Sequence, residues 1–329
     1  MRVLIAFNAP QASLDPHGRG TLAYQGVLTE VEDVAWALRR LGHTVDILAV
    51  GLDPRGELAR LSQAHVDLVF NLVESIGGKD YSETCFAAIL QWLDLPFTGA
   101  GPEALALTCN KNIAHGILTA HGIPTPRSWT GWDVPDPVEF PLIIKPACED
   151  GSIGIDGSSV VHDWQQLKKG LRGDQELIVQ EYLPGEEATI ALMGHEQPQF
   201  LPMGRIDYGG MPSGHLPILS YRAKWVPTSP EYLGSTPYWD DELLEEDKPL
   251  REAARRVFHL FRLQGYSRVD FRADPQGNFH VIDINPNPDI SRTAGFARSA
   301  QAMGWPYEEL IQMIVDLALE SFAARKKAI

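Results

Sequence analysis

The first hundred residues alternate between apolar runs of strand length and amphipathic stretches of helix length. Strands are predicted at 2–7, 44–50 and 67–72, and helices at 27–41, 54–64 and 83–93. Apolar runs at this spacing are typical of strands buried on both faces of a parallel sheet, with each helix forming a crossover. The order strand, helix, strand, helix, strand therefore predicts a small α/β domain of about 100 residues.

The rest of the chain mixes strands and helices without a repeat. Strands are predicted at 141–145, 159–161, 176–182, 187–193, 266–273 and 278–285, and helices at 110–121, 163–171, 249–263 and 305–323. Residues 274–277, Asp-Pro-Gln-Gly, predict the turn of a hairpin between the last two strands. Residues 204–240 are rich in Gly, Pro, Ser and Tyr and show no long period, which predicts a long irregular loop of functional importance.

The charge balance excludes several functional classes. The chain has 43 acidic residues and 28 Lys plus Arg, a formal net charge of −15. This excess argues against a binder of nucleic acid or of an anionic membrane, because phosphate attraction needs a basic surface. Three scattered cysteines without a CxxC pair argue against disulfides and a zinc site. Without an apolar stretch of about 18 residues or a signal peptide, we expect a cytoplasmic protein.

Several common motifs are missing. The first strand is not followed by GxGxxG, residues 77–80 (Gly-Gly-Lys-Asp) do not complete a phosphate-binding GxxxxGK[ST] loop, and GxSxG does not occur. The ten histidines form no HExxH or other metal-like pair. Hydride transfer on a dinucleotide fold and serine-nucleophile hydrolysis are therefore not expected.

A group of oxygen-bearing side chains on the predicted hairpin makes chemical sense together. Asp270 and Asp283 lie on its two strands, and Asn285 shares a face with Asp283 because the period of a strand is two. Two carboxylates and an amide oxygen suit Mg²⁺ or Mn²⁺. The alternative is that such acids only cap turns, which we prefer for Asp274. Asp283 lies mid-strand between isoleucines, where an unpaired charge would be costly, so we predict a metal ligand there.

Two lysines and a strand end precede this group. Lys145 ends an apolar strand before a loop of small residues, and Lys111 begins a helix, so either can hold a phosphate as a point charge. Tyr182 and Leu183 end a strand where free backbone groups could meet an adenine edge, and Glu187 could reach ribose hydroxyls. Taken alone, each feature is better explained as a solvated flank or as a simple connection between strands.

Seven segments taken in order resemble the ATP-grasp superfamily, and within it the D-alanine–D-alanine ligases. They are Asn110-Lys111, IIKP at 143–146, GSIG at 151–154, VQEYLPGEE at 179–187, YRAKW at 221–225, SRVDF at 267–271 and VIDINPNP at 281–288. The resemblance implies an α/β and α+β protein, an ATP-grasp fold with an N-terminal Rossmann-like (pre-ATP-grasp) domain. It implies boundaries at 1–105 for the N-terminal domain, 106–185 for the central lid subdomain and 186–329 for the C-terminal subdomain with the metal site and substrate loop.

The resemblance also implies roles for individual residues. Lys111 and Lys145 would contact ATP phosphates, Ser152 would lie in the lid loop, and Lys224 would approach the γ-phosphate. The segment Glu181-Tyr182-Leu183 would face adenine, and Glu187 the ribose. Arg268 would stabilise developing charge, and Asp270, Asp283 and Asn285 would hold two Mg²⁺ ions, or Mn²⁺. Arg268, Lys224 and Ser152 are thus the expected catalytic residues.

The implied reaction is ADP-forming ligation of a small acid and a small amine through an acyl phosphate. The family's acidic segment after the first strand is missing from residues 8–21. Trp225 stands where a tyrosine is common, Asp283 where glutamate is usual, and 286–292 departs from the family's Thr-x-Pro-Gly-Met-Thr. The segments implied to bind ATP match the family, whereas those implied to bind the amino acids differ from it. This difference argues against D-alanine as the substrate.

Three residues are candidates for the substrates themselves. Arg292 follows the metal strand and could hold a substrate carboxylate, with a surface arginine as the equal alternative. Glu74 and Lys79, after the third strand, could touch the first substrate. Two other functions stay open: ligation to a peptide or carrier-protein terminus, and a nucleotide-binding regulator without turnover. The family's frequent dimers leave a homodimer open.

Overall fold

The computed structural model describes residues 1–8, 21–51, 55–63, 65–76, 81–240 and 247–328. Lys79 and both ends of the predicted helix 54–64 lie outside these ranges. Across the described ranges, no helix is long and apolar enough to cross a membrane.

The N-terminal unit is a three-stranded parallel sheet of order β2-β1-β3. Its elements are β1 (Arg2–Asn8), α1 (Thr21–Arg40), β2 (Thr44–Val50), α2 (Arg55–Gln63), β3 (Leu68–Leu72), α3 (Ser82–Trp92) and α4 (Pro102–Thr108). All five residues of β3 are buried, four of them apolar and the fifth Asn71, which suits a strand in the middle of the molecule covered on both faces. Gly42, with φ +84°, follows the C-terminus of α1 in the left-handed conformation that ends many helices.

The second unit is a four-stranded antiparallel sheet of order β4-β7-β5-β6. Its elements are α5 (Lys111–Ala120), β4 (Ser128–Thr130), β5 (Leu142–Pro146), β6 (Val160–Val161), α6 (Trp164–Gly170) and β7 (Leu177–Glu181). Asn110 caps α5 by accepting hydrogen bonds from the Asn112 and Ile113 amides, and Asp163 caps α6 through Gln166. The Asn110 cap fixes Lys111 as the first helical residue.

The third unit is a six-stranded sheet of order β11-β10-β8-β12-β13, with β9 paired to β8. Its elements are β8 (Glu187–Gly194), β9 (Gln199–Phe200), β10 (Gly204–Asp207), α7 (Tyr221–Trp225), α8 (Pro230–Leu233), β11 (Thr236–Trp239), α9 (Lys248–Leu260), β12 (Gly265–Ala273), β13 (Phe279–Asn285), α10 (Gly295–Ala302) and α11 (Tyr307–Ala328). The predicted hairpin is the antiparallel pair β12–β13.

The prediction of one long irregular loop at 204–240 is wrong. Strands β10 and β11 begin and end this stretch, and the short helices α7 and α8 lie between them. Each of these elements has only four or five residues, too few to show a period. Pro237 is tolerated because β11 is at the sheet edge, where a missing amide donor breaks no ladder.

Two hydrophobic clusters are shared by the first and third units. One joins residues such as Leu90 and Phe97 to Leu192 and Phe271, and the other joins Phe70 to Tyr266. The four-stranded sheet has a cluster of its own around Leu167 and Val179, but helix α5 contributes to the first shared cluster, and Ile143 of β5 packs in a smaller cluster with Ile218 of the third unit. The predicted boundaries near 105 and 185 remain predictions, and each of the three sheets falls within one of the predicted ranges.

Candidate active site

The hairpin β12–β13 aligns the predicted metal ligands. Asp270 lies opposite Asp283, and Arg268 lies opposite Asn285, so all four side chains leave the same face of the sheet. A bulge follows between Asp270 and Phe271. The Asn285 amide oxygen accepts a hydrogen bond from the backbone of Asn287, which fixes its orientation at the end of the strand.

Arg268 and Asp270 form a two-bond ion pair on this face. The guanidinium donates from Nε at 2.7 Å and from Nη2 at 2.9 Å to the two carboxylate oxygens. Burial by itself would lower the pKa of Arg268, but the charge of Asp270 and its hydrogen bonds raise that pKa above its ordinary value. The guanidinium is thus a permanent cation at the site.

The two predicted phosphate lysines converge on the hairpin. Lys111 Nζ donates to the Glu149 carbonyl at 2.8 Å and to the Asp150 carboxylate at 3.0 Å, and lies 3.7 Å from Asp283 Oδ1. Burial opposes its charge, but the neighbouring carboxylates of Asp150 and Asp283 raise its pKa overall. Lys145 is also buried, and burial lowers its pKa to about 8 despite the attraction of Asp283.

The small-residue loop at 148–154 contacts the α7 segment. Ser152, in the left-handed conformation with φ +61°, donates from its hydroxyl to the Leu219 carbonyl at 2.8 Å. Trp225 Nε1 donates to the Gly151 carbonyl at 2.7 Å. Lys224 therefore sits on a short helix held to this loop, whereas the sequence predicted irregular structure around it.

The connection after β7 is organised by an arginine that the sequence analysis missed. Arg272 is buried and donates to the Leu183 carbonyl at 2.6 Å, to Glu187 Oε2 at 2.8 Å and to the Pro217 carbonyl. Tyr208 donates to the same Glu187 oxygen at 2.7 Å. The available signal was the two-residue spacing of Arg268, Asp270 and Arg272 along one strand.

Other residues of this connection have polar partners too. The Glu181 carboxylate forms an ion pair with Arg127 at 3.2 Å, and its amide donates to the Arg127 carbonyl at 2.9 Å. The Tyr182 amide donates to the Pro141 carbonyl at 3.1 Å. Because the Leu183 carbonyl already accepts a hydrogen bond from Arg272, the adenine contact predicted for this segment would have to use its other backbone groups.

A cavity of about 190 Å³ extends from the hairpin towards the N-terminal unit. Lys224, Arg268 and Asn285 line it together with Glu74. Its wall also contains acidic side chains that the sequence did not single out, namely Glu30, Glu83, Glu149, Asp150 and Asp289. The structure therefore joins Lys224, Arg268 and Glu74 in one cavity, whereas Ser152, the third predicted catalytic residue, is not among its lining residues.

Glu74 is exposed to solvent and lines the cavity. Partial withdrawal of its carboxylate from bulk water, together with the negative charges of Asp289 and Asp150, raises the pKa of Glu74 to about 7. Glu83 behaves similarly, since burial and then the charge of Asp150 raise its pKa to about 8. Both carboxyls therefore change charge near neutral pH.

Arg292 does not line this cavity. Its Nε and Nη2 both lie 2.6 Å from Asp33 Oδ1, and its guanidinium stacks over Trp36 at 4.7 Å. A substrate carboxylate would have to compete with Asp33 for this guanidinium. The predicted role of Arg292 remains a prediction, and that of Lys79 lies outside the described residues.

Comparisons with known proteins match most of the chain. A family model described as D-ala D-ala ligase C-terminus matches residues 117–316. The D-alanine–D-alanine ligase of Moorella thermoacetica is 31% identical over 304 residues, covering 87% of this chain and 92% of that ligase. An uncharacterized protein of Sinorhizobium fredii, y4sG, is 30% identical over 273 residues, covering 80% of this chain and 77% of that protein.

Solved structures match the whole architecture. A crystal structure of Bacillus anthracis D-alanine–D-alanine ligase complexed with ATP superposes with a TM-score of 0.75 over 99% of both chains, at 20% identity. At this identity the match shows the fold alone.

Proposed function

The chain belongs to the D-alanine–D-alanine ligase family of ATP-grasp proteins, and from this premise we propose that it joins two amino acids, or an amino acid and a related small amine. The predicted ATP-grasp fold is confirmed, and so is the class of enzyme, an ATP-dependent, ADP-forming carboxylate–amine ligase. The observation that carries the proposal is the convergence of Lys224, Arg268 and Asn285 on one cavity beside the Lys111–Asp283 contact.

The donor set on the hairpin fits Mg²⁺. Among the described residues, no group of three or more His, Cys, Asp or Glu side chains could hold a metal ion. Asp270, Asp283 and Asn285 offer two carboxylates and one amide oxygen, which matches a magnesium site completed by phosphate oxygens and water. We propose that these three residues hold Mg²⁺, which when bound would neutralise phosphate charge.

The phosphate-binding roles fall to the lysines. We propose that Lys145 and Lys111 hold the triphosphate of ATP and that Lys224 contacts the γ-phosphate. In support, Nζ of Lys145 has no hydrogen-bond or ion-pair partner within the described part of the chain. A buried ammonium without a partner is costly, because burial removes its hydrogen bonds to water. A phosphate oxygen beside it would replace them.

The reaction then needs no protein nucleophile. A carboxylate oxygen of the first substrate forms a bond to the γ-phosphorus while the bond to the β-phosphate oxygen breaks, and ADP leaves. The second substrate's uncharged amine attacks the acyl carbon, phosphate leaves, and the nitrogen loses its proton. Arg268 would stabilise the negative charge that develops on the transferred phosphoryl group and on the acyl oxygen.

Residues around the cavity would exclude water and contact the nucleotide. The loop at 148–154, held to α7 through Ser152 and Trp225, would keep water from the acyl phosphate. We propose that Glu187 contacts the ribose through Oε1, since both of its hydrogen bonds within the described residues use Oε2. The Glu181-Tyr182-Leu183 segment would face adenine.

Two further expectations stay predictions. The homodimer derives from the resemblance alone, and the cytoplasmic location rests on the sequence features given above. The relatives named D-alanine–D-alanine ligases make D-alanine one substrate to test. The departures at 286–292 and after β1 lead us to propose a different amino acid.

The test is ADP release with Mg²⁺ across a matrix of amino acids, dipeptides and small amines, with mass spectrometry of the products. A ligated product formed in step with ADP is expected. Activity only with a peptide or carrier-protein terminus would contradict the proposed substrate class, and ATP binding without turnover for any pair would favour a regulator.

Asp283→Asn tests the site directly. It should lower turnover at least about 100-fold while leaving folding intact, because one of two carboxylates is lost. Asp274→Asn, in the turn of the same hairpin, is the matched control and should retain activity. Near-normal turnover in Asp283→Asn would refute the metal assignment.

A further inference from the structure

The substrate cavity is lined by more acidic side chains than cations. Among the described residues, six acidic side chains line it, against Lys224 and Arg268, and Arg268 is already paired with Asp270. Four of the six, Glu30, Glu74, Glu83 and Asp289, form no ion pair with any cation in the described part of the chain. We refer to these four as the acidic wall.

The wall is assembled from separate parts of the chain. Glu30 comes from α1, Glu74 from the segment after β3, Glu83 from α3 and Asp289 from the segment after β13. Backbone amides hold two of them, since Ile290 donates to Glu30 at 2.9 Å and Ser291 to Asp289 at 2.8 Å. The carboxylates of Glu74 and Glu83 accept no hydrogen bond from the described residues. Four carboxyls at one cavity repel one another and favour a cationic occupant.

Two uncharged side chains independently indicate a polar ligand at the same place. Tyr266 is only 1% exposed and lines the cavity, yet its hydroxyl has no hydrogen-bond partner within the described ranges. Asn71, also 1% exposed, lines the cavity, and its Nδ2 has no hydrogen-bond partner among the residues that the structure describes. Buried polar groups are normally satisfied, so unused ones in the wall of a cavity mark positions where a ligand completes the hydrogen bonding.

The same cavity also contains two cations. Lys224 and Arg268 line it, where the proposed reaction needs the carboxylate and the transferred phosphoryl group. A substrate bound there would therefore place its carboxylate against these cations and its positive charge against the acidic wall. One α-ammonium group balances a single carboxylate and would leave most of the acidic wall without a cation.

We propose that the amino acid whose carboxylate is activated is a diamino acid, with both ammonium groups against the acidic wall. This inference rests on the proposed ligase function and specifies its first substrate. Glu74 and Glu30 would receive the ammonium groups, and the Tyr266 hydroxyl and Asn71 would complete their hydrogen bonding. The second amino group distinguishes this substrate from alanine and other neutral amino acids.

The experiment compares pairs of similar size that differ in the second amino group. Lysine is paired with norleucine, ornithine with norvaline and 2,3-diaminopropionate with alanine, each in both enantiomers, alone and with alanine as acceptor. The kcat/KM from ADP release should favour at least one diamino acid by about tenfold or more, the value of one buried charged hydrogen bond. Equal or better use of every neutral partner would overturn the inference and leave the ligase function standing.

Variants locate the effect on the wall. Glu74→Gln should lower kcat/KM for the preferred diamino acid by about tenfold or more, and by a clearly larger factor than for its neutral partner, which has one ammonium group fewer to bind. Glu30→Gln, which keeps an acceptor for the Ile290 amide, should act in the same direction. Glu32→Gln is the matched control because Glu32 is exposed on the same helix, and it should behave as wild type. Equal losses for charged and neutral substrates in Glu74→Gln would overturn the inference.

Calorimetry separates this inference from the ligase function. Lysine, ornithine, 2,3-diaminopropionate and their neutral partners are titrated into the protein with Mg²⁺ and a non-hydrolysable ATP analogue. Tighter binding of a diamino acid, lost in Glu74→Gln, would support the acidic wall even if no pair of substrates gave ADP. Equal affinities for the diamino acids and their neutral partners would overturn the inference.

Discussion

Lys145 shows how one residue can be adapted to its ligand by burial. Its side chain is only 9% exposed at the end of β5, and burial lowers its pKa to about 8. Asp283 and Glu187 oppose this shift, while Lys111 and Arg272 add to it. Without a bound anion, Lys145 therefore loses its proton at a pH only slightly above neutral.

ATP affinity should therefore fall as pH rises through 8. Below pH 8 Lys145 carries its proton and attracts the triphosphate, and above pH 8 it becomes neutral. Between pH 7 and pH 9 the charged fraction falls about tenfold, so the Kd for ATP, measured by calorimetry without the other substrates, should rise by about the same factor.

Lys145→Arg is the control for this pH dependence, because a guanidinium stays charged over the whole range. The variant should bind ATP with a Kd that is nearly independent of pH, and Lys145→Met should bind weakly throughout. The same pH dependence in wild type and Lys145→Arg would assign the titration to another group.

At the scale of residues, the sequence allowed us to predict charged side chains that stand next to apolar neighbours, where burying a charge is costly. Asp283 between two isoleucines and Lys145 at the end of an apolar strand were both recognisable from their neighbours alone. Arg272, Glu30 and Asp289 were not, because their importance depends on what the fold brings near them. Arg292 is a parallel case, since its partner Asp33 is distant in sequence.

At the scale of elements, the junction between the N-terminal unit and the hairpin depends on one glycine. Gly99 has φ +85°, and a Cβ there would lie 2.5 Å from Asn287 Oδ1. The same oxygen accepts a hydrogen bond from the Ala100 amide at 2.8 Å. Asn287 in turn donates from its backbone to Asn285, so Gly99 supports the end of the proposed metal strand.

Gly99→Ala should therefore reduce both stability and turnover. The left-handed backbone costs about 1–2 kcal/mol with a Cβ, and the clash with Asn287 adds at least about 1 kcal/mol. Gly42→Ala is the matched control, since Gly42 has φ +84° with nothing within 4 Å of the added Cβ. Denaturant unfolding should show the larger loss in Gly99→Ala, and only that variant should lose activity. Equal losses would mean that the Asn287 contact is unimportant.

Elements with a long period were predictable and short ones were not. The strand predicted at 44–50 is β2 (Thr44–Val50), and the hairpin turn at 274–277 was placed correctly. Helices α4 and α10 and the elements at 204–240 were missed. Strand β10 has four residues and forms because β8 and β11 pair with it on either side, which no local pattern reveals.

At the scale of the molecule, part of the acid excess behind the net charge of −15 can be assigned to one cavity. The acid excess argued against a surface that binds polyanions, yet the chain belongs to a family that uses ATP. Lys111, Lys145, Lys224 and Arg268 gather a few of the 28 cations near one hairpin. The acidic wall places four of the acids in the lining of a cavity that Lys224 and Arg268 also line, so charges of both signs meet at one site.

The distribution of the hydrophobic cores has a consequence for unfolding. The four-stranded sheet packs around Leu167 on its own cluster, and a smaller cluster joins its Ile143 to Ile218 of the third unit. Helix α5 packs instead in a cluster that the first and third units share and that includes Leu192. Both leucines are fully buried. Without nucleotide to bridge the cavity, the four-stranded sheet should therefore unfold in a transition separate from that of the rest of the molecule.

A pair of identical substitutions tests this division. Leu167→Ala should destabilise only the four-stranded unit, and Leu192→Ala only the remainder, each by about 2–5 kcal/mol because both leave a core cavity. Hydrogen exchange monitored by mass spectrometry should show faster exchange at β5 and β7 in the first variant and at β8 and β12 in the second. If either substitution accelerated exchange equally across all three sheets, the molecule would be one cooperative unit, and the separate core of the four-stranded sheet would have no energetic meaning.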